Sequence, residues 1–156
     1  MNLLIVDDEG NIRRSLRALL ESEGHFVRDA ESAEAGLEIV AGSVPDAILL
    51  DLALPGMSGI EALPEFLKID SGITVIMMSG HASLGDAVEA ARLGAFHFIE
   101  KPLSPEAVLL TLRGAAEVAK ARDLTRALRE ELGPEAELIG RASGIQQVKE
   151  SIRRVA

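Results

Sequence analysis

The sequence predicts an α/β fold in which a parallel sheet is covered by helices on both faces. Three observations lead to it. Short apolar runs alternate with helical patterns from the first residue onward. Three of the runs, at 3–6, 47–50 and 75–78, are continuous rather than every second residue, as strands buried on both faces require. Strand followed by helix, repeated along the chain, needs right-handed crossovers between parallel strands. Strands are expected near 2–6, 26–30, 46–50, 73–77 and 96–99, with helices near 10–22, 33–41, 60–69 and 84–92.

The first helix carries Ile12, Leu16, Leu19 and Leu20 on one stripe, and Gly24 stops it. Pro55-Gly56 ends the segment after the third strand. Gly36, Gly94 and Gly114 fall at or inside helical segments and blur those boundaries. Ser104-Pro105-Glu106 combines an N-cap, a first-turn proline and a first-turn acid. The helix it starts meets no breaker except Gly114 until Gly133-Pro134, about twice the usual helix length. Val108, Leu109 and Leu112 suit a sheet-covering face. Beyond them Ala121, Leu124 and Leu128 keep a coiled-coil spacing among Arg122, Arg126, Arg129, Glu130 and Glu131. Two readings fit that stretch, a solvated helix and a dimerising one.

Composition narrows the function. In 156 residues, 47% are apolar and 3% aromatic, so the core must rest on aliphatic side chains. The net charge of −9 argues against non-specific nucleic-acid binding. Absence of cysteine removes disulfides and thiolate metal sites. No signal peptide and no membrane-length apolar stretch is visible, so a cytoplasmic, membrane-free protein is expected.

The chemistry gathers at strand ends. Asp51 closes Ala47-Ile48-Leu49-Leu50, Asp7 and Asp8 close Leu3-Leu4-Ile5-Val6, and Lys101 follows Phe96-His97-Phe98-Ile99. Open α/β sheets place their ligands at that edge. A carboxylate can attack a phosphoryl group if the charge that develops is neutralised. Asp51, flanked by apolar residues, is the expected nucleophile. Asp8, with Asp7 behind it and the Ala53 carbonyl nearby, can offer the hard oxygens that Mg²⁺ takes. Lys101 would pair with a phosphoryl oxygen, and Ser79, after Val75-Ile76-Met77-Met78, could donate a hydroxyl hydrogen bond. Singly, each has a plainer role: Asp7 or Asp8 as a helix cap, Lys101 as a solvated lysine, Ser79 as a turn residue. Their coincidence favours the chemical reading.

Val6-Asp7-Asp8-Glu9, Leu50-Asp51-Leu52 with Leu54-Pro55-Gly56-Met57-Ser58-Gly59, Met78-Ser79-Gly80-His81 and Lys101-Pro102 together resemble the receiver domain of two-component response regulators. The resemblance covers about residues 1–120. It implies a flavodoxin-like five-stranded sheet in the order 2-1-3-4-5, with a C-terminal helix extended into a linker. It also implies Mg²⁺ on Asp8, Asp51 and the Ala53 carbonyl with Asp7 acting through water, phosphorylation of Asp51 by a sensor histidine kinase, phosphoryl contacts from Lys101 and Ser79, and a cis Lys101–Pro102 peptide. The resemblance implies a phosphoacceptor that assists its own phosphorylation and dephosphorylation rather than an enzyme. Two positions depart from the pattern. Phe98 stands where the switch aromatic is often Tyr and has no hydroxyl to bond the loop after Ser79. Ala53, two residues past the phosphoacceptor, cannot orient an attacking water; His81 could contact that water or simply sit exposed in its loop. His97 reads as an exposed position of the last strand.

Glu137-Leu138-Ile139-Gly140-Arg141-Ala142-Ser143, then Gln147-Val148 and Ile152-Arg153-Arg154-Val155-Ala156, resemble the start of the ATPase domain of NtrC-like, sigma-54-dependent activators. The expected organisation is a receiver at 1–120, a linker helix at 121–135 and a truncated ATPase edge at 136–156. No G-x-x-x-x-G-K-[ST] occurs. ATP, DNA and sigma-54 RNA polymerase would then be partners of a parent protein and not of these residues. A homodimer through the linker helix or the switch face around Ser79 and Phe98 is expected. Two other classes stand against this reading. One is a phosphorylation-independent dimerisation module. The other is a haloacid-dehalogenase-type phosphatase, which wants Asp-x-Asp at the first strand where this chain has adjacent acids.

Overall fold

The computed structural model describes the backbone of residues 1–139 and the side chains of residues 1–131. It divides into two compact units, Met1–Ala119 and Lys120–Ala156. The expected ATPase edge at 136–156 lies almost wholly outside the described residues, as does the helix pattern headed by Ser143.

The elements run β1 (Asn2–Val6), α1 (Gly10–Ser22), β2 (Phe26–Ala30), α2 (Ala33–Gly42), β3 (Ala47–Asp51), α3 (Gly59–Ile69), β4 (Thr74–Ser79), α4 (Leu84–Arg92), β5 (His97–Glu100) and α5 (Pro105–Ile139). All strands are parallel, in the order β2-β1-β3-β4-β5. This is the flavodoxin-like arrangement.

Strand alternation sorts the core into two layers. Leu4, Val6, Ile48, Leu50, Val75 and Met77 pack with Val40, Ala62, Leu63, Phe66 and Ala90 from α2, α3 and α4. Their neighbours Leu3, Ile5, Leu49, Ile76 and Met78 pack with Leu16 and Leu20 of α1 and Val108 and Leu112 of α5. Because both faces are covered, β3 and β4 are buried at every residue. α2, α3 and α4 begin on serine caps: Ser32 accepts from the Ala35 N–H, Ser58 from Glu61 and Ser83 from Asp86. Asp86 returns a bond from the Ser83 N–H, completing a capping box. Ser104 accepts from the Ala107 N–H at the start of α5.

α5 continues past Gly133-Pro134 to Ile139, so that pair does not end the helix as its composition suggested. Proline removes one backbone donor, while Glu135-Ala136-Glu137-Leu138 are good helix formers that resume the ladder. In the second unit Leu124 and Leu128 are exposed. Gly114 also lies inside α5. A Cβ there would meet the Phe96 ring at 3.6 Å, an ordinary contact. Gly114→Ala is therefore expected to stabilise the protein by about 0.5–1 kcal/mol through helix propensity alone, read as a higher urea midpoint with unchanged slope.

Candidate functional site

β1 and β3 are central neighbours, and the pairing Val6↔Leu50 brings the residues that follow, Asp7 and Asp51, to the same edge. Asp51 is the last residue of β3 and Asp7 the first beyond β1; both are buried. Asp8 is exposed. The three residues offer carboxylate oxygens that all lie within 4.8 Å of one another. Neither Asp7 nor Asp8 caps α1: the N-cap residue is Glu9, and no side chain caps the helix there. Instead Asp7 Oδ1 accepts the Glu9 N–H at 2.9 Å.

Lys101 leaves β5 one residue past its end. Its Nζ donates to Asp7 Oδ2 at 2.9 Å and stands 3.5 Å from Asp51 Oδ1. In this arrangement the lysine is bonded chiefly to Asp7. The Lys101–Pro102 peptide is cis, and the Lys101 N–H donates to the Ser79 carbonyl at 2.8 Å. Ser79 ends β4, and its buried Oγ accepts the His81 N–H at 3.2 Å. The Ala53 N–H reaches Asp51 Oδ1 at 3.4 Å. His81, Ala53 and His97 are exposed, and Phe98 is half-buried against the α2–α4 layer.

Burial pushes the Asp51 carboxyl above its ordinary range, and the Asp7 carboxylate adds to this; Lys101 and the Ala53 N–H oppose it without prevailing. Burial works to lower the Lys101 ammonium, but Asp7, Asp51 and Glu9 outweigh it and hold it above the ordinary lysine value. Three acids against one lysine leave a net negative pocket made only of oxygen donors. That donor set suits a hard divalent cation rather than a soft one.

Three contributors to the site carried little signal in the sequence. Arg13 of α1 donates to the Asp7 carbonyl at 2.8 Å. Glu34 of α2 accepts the Met57 N–H at 3.0 Å, tying down the loop after β3, and that bond draws its carboxyl below the usual value. Gly59 opens α3 against the Asp51 backbone; the sequence showed it only as the last residue of the motif Leu54-Pro55-Gly56-Met57-Ser58-Gly59. Beside Lys101 an apolar groove of about 350 Å³ runs between α1 and the start of α5, lined by Ile12, Leu16, Leu19, Leu103 and Val108.

Fold and site together define an open α/β protein with an acidic, lysine-bridged pocket at the C-terminal edge of its sheet. Residues 3–113 match the family model described as the response regulator receiver domain. The chain belongs to that family. Over 156 residues it is 35% identical to the nitrogen assimilation regulatory protein NtrX of Azorhizobium caulinodans, covering 99% of this chain and 34% of that protein. The chain thus spans about a third of the length of the curated relatives it matches. The crystal structure of the NtrX receiver domain from Brucella abortus superposes with a TM-score of 0.70 at 37% identity, covering 74% of this chain and 98% of that one. The solution structure of the beryllofluoride-activated NtrC4 receiver domain dimer gives 0.73 at 34% identity, with 76% and 98% covered. Among the described residues no helix is long and apolar enough to cross a membrane.

Proposed function

We propose that the chain is the phosphoacceptor receiver and linker of an NtrC-like, sigma-54-dependent activator, and that it takes a phosphoryl group on Asp51 from a sensor histidine kinase. The observation that carries this is the buried Asp51 carboxylate beside Asp7, Asp8 and Lys101. An Asp51 carboxylate oxygen attacks the phosphorus of the kinase's phosphohistidine. The phosphorus–nitrogen bond breaks, the imidazole leaves with its electron pair, and an acyl phosphate remains. Asp8, Asp51 and the Ala53 carbonyl, with Asp7 through water, are the residues to hold Mg²⁺. When bound, the ion neutralises phosphoryl charge and relieves the repulsion among the acids. Lys101 can turn from Asp7 to a phosphoryl oxygen, and the Ser79 hydroxyl, now only an acceptor, still has a proton to donate. The apolar groove beside Lys101 offers the kinase a docking surface within reach of the site.

Movement of Ser79 and Phe98 would carry the change to the α4 face, where Leu84 and Val88 are exposed. Dimerisation through that face or through Leu124 and Leu128 would pass it to a cytoplasmic output domain. A near-complete reversal of the two states requires a preference of about 5.5 kcal/mol. Exposure of Leu124 and Leu128 also favours a second reading, a dimer indifferent to phosphorylation.

Incubation with acetyl phosphate and Mg²⁺ should add the mass of one phosphoryl group at Asp51, and EDTA should prevent it. No mass gain, or a gain elsewhere, would remove the phosphoacceptor reading. Sedimentation with beryllofluoride and Mg²⁺ separates the two dimer readings: only the switch reading predicts a changed dimer constant.

A further inference from the structure

The Asp8 side chain has no hydrogen-bond or ion-pair partner among the described residues, so only its backbone aims it. That backbone is held from both sides. The Asp7 N–H donates to the Ala30 carbonyl at 3.1 Å, and the Asp7 carbonyl accepts from Arg13 Nη1 at 2.8 Å. The second bond falls on the Asp7–Asp8 peptide unit. Because that unit is planar, fixing its oxygen fixes the direction in which the chain enters Asp8.

Arg13 is itself anchored. Its Nε donates to Asp29 Oδ2 at 3.0 Å, and the other Asp29 oxygen takes Arg17 Nη1 at 2.7 Å. Arg17 also bonds Glu21 at 2.9 Å. The side chain of Arg13 is only 20% exposed. A planar guanidinium fork serves the carboxylate and the carbonyl from two nitrogens held in fixed geometry, which the single nitrogen of a lysine does not reproduce. Arg13 and Arg17 face Asp29 and Glu21, so the network is neutral as a whole. Its effect on a nearby cation is therefore geometric before it is electrostatic.

We propose that Arg13 is a positioning residue for the divalent cation, clamping the Asp7–Asp8 peptide with Asp29 as its anchor. The proposal rests on the reading of Asp7, Asp8 and Asp51 as a Mg²⁺ site. Groups that orient metal ligands without touching the metal are commonly worth 10- to 100-fold in affinity.

The test is calorimetric Mg²⁺ titration of the whole chain, wild type against Arg13→Lys, Arg13→Met and Asp29→Asn, with thermal unfolding in EDTA to establish that each is folded. Arg13→Lys keeps the charge and loses the fork, so Mg²⁺ binding should weaken about tenfold. Asp29→Asn should weaken it in the same direction, and the Arg13→Lys/Asp29→Asn double variant should fall little further, since the pair acts as one unit. A purely structural role would lower the melting temperature and leave the affinity of the folded protein untouched. A folded Arg13→Lys or Asp29→Asn chain within twofold of wild type overturns the proposal. So does tighter binding by Arg13→Met, which would make the guanidinium a repelling charge. A wild-type chain that takes up no Mg²⁺ overturns the metal site along with it.

Discussion

Asp51→Asn is expected to abolish Mg²⁺-dependent phosphoryl labelling and, in metal-free buffer near neutral pH, to raise the melting temperature. The loss follows from chemistry: an amide oxygen is a poor nucleophile, and the substitution also removes one of three clustered carboxylates. The gain follows from electrostatics. Asp51 is buried against Asp7, and both effects hold its carboxyl above the ordinary value in spite of Lys101. Without a cation the folded state bears a repulsion that the unfolded chain does not. Relieving about 1 kcal/mol would move the melting temperature of a domain this size by about 4 °C. The pH dependence has a definite sign. Between the ordinary carboxyl value and the raised native one, the native state binds more protons than the unfolded state, so wild-type stability rises as pH falls. The Asp51→Asn variant lacks that response, and its advantage should shrink on acidification. Melting curves of both proteins in EDTA across that range check it. An Asp51→Asn variant less stable than wild type at neutral pH would mean that the Lys101 contact outweighs burial and repulsion.

Gly59→Ala should cost at least about 3 kcal/mol and disturb the site directly. A Cβ at this position would lie 2.2 Å from the Asp51 carbonyl oxygen and 2.9 Å from both the Asp51 carbonyl carbon and Leu52 Cα. These are backbone atoms, so no rotamer change relieves the clash. Either the first turn of α3 lifts, breaking the Gly59 N–H bond to the Leu52 carbonyl at 2.9 Å, or the end of β3 moves. Gly36→Ala makes a useful contrast. Its nearest obstacles are side-chain atoms, Val6 Cγ2 at 3.0 Å and Phe66 Cζ at 3.2 Å, which can yield. Denaturant midpoints should therefore fall much further for Gly59→Ala than for Gly36→Ala.

The three central strands were legible as continuous apolar runs, and β1 and β2 have the bounds the sequence suggested. The other strands begin one residue later than expected and end one or two residues further on. Asp51, Ser79 and Glu100 are polar and read as residues beyond the strand, yet each still pairs in the ladder. Gly133-Pro134 misled in the opposite sense, since composition marks a weak point in a helix and not its end. The cluster of acids could be assembled from strand ends alone. Which acid turns inward could not: Asp7 is buried and Asp8 exposed because one residue step reverses the side chain's face. Arg13 and Glu34 left no such mark in the sequence, because both act on backbone atoms brought near only by folding.

The uneven burial of the strands has a consequence for how the domain opens. β3 lies at the centre of the sheet and is buried throughout, whereas β5 is an edge strand of four residues with only Ile99 fully buried. Amide hydrogens of β3 should exchange with solvent only on global unfolding, while those of β5 exchange through smaller, cheaper openings. Asp51 is thus expected to hang from a slower-exchanging strand than Phe98. On the proposed reading, the phosphoacceptor then sits on the rigid part of the domain and the switch residue on a part that opens at small cost.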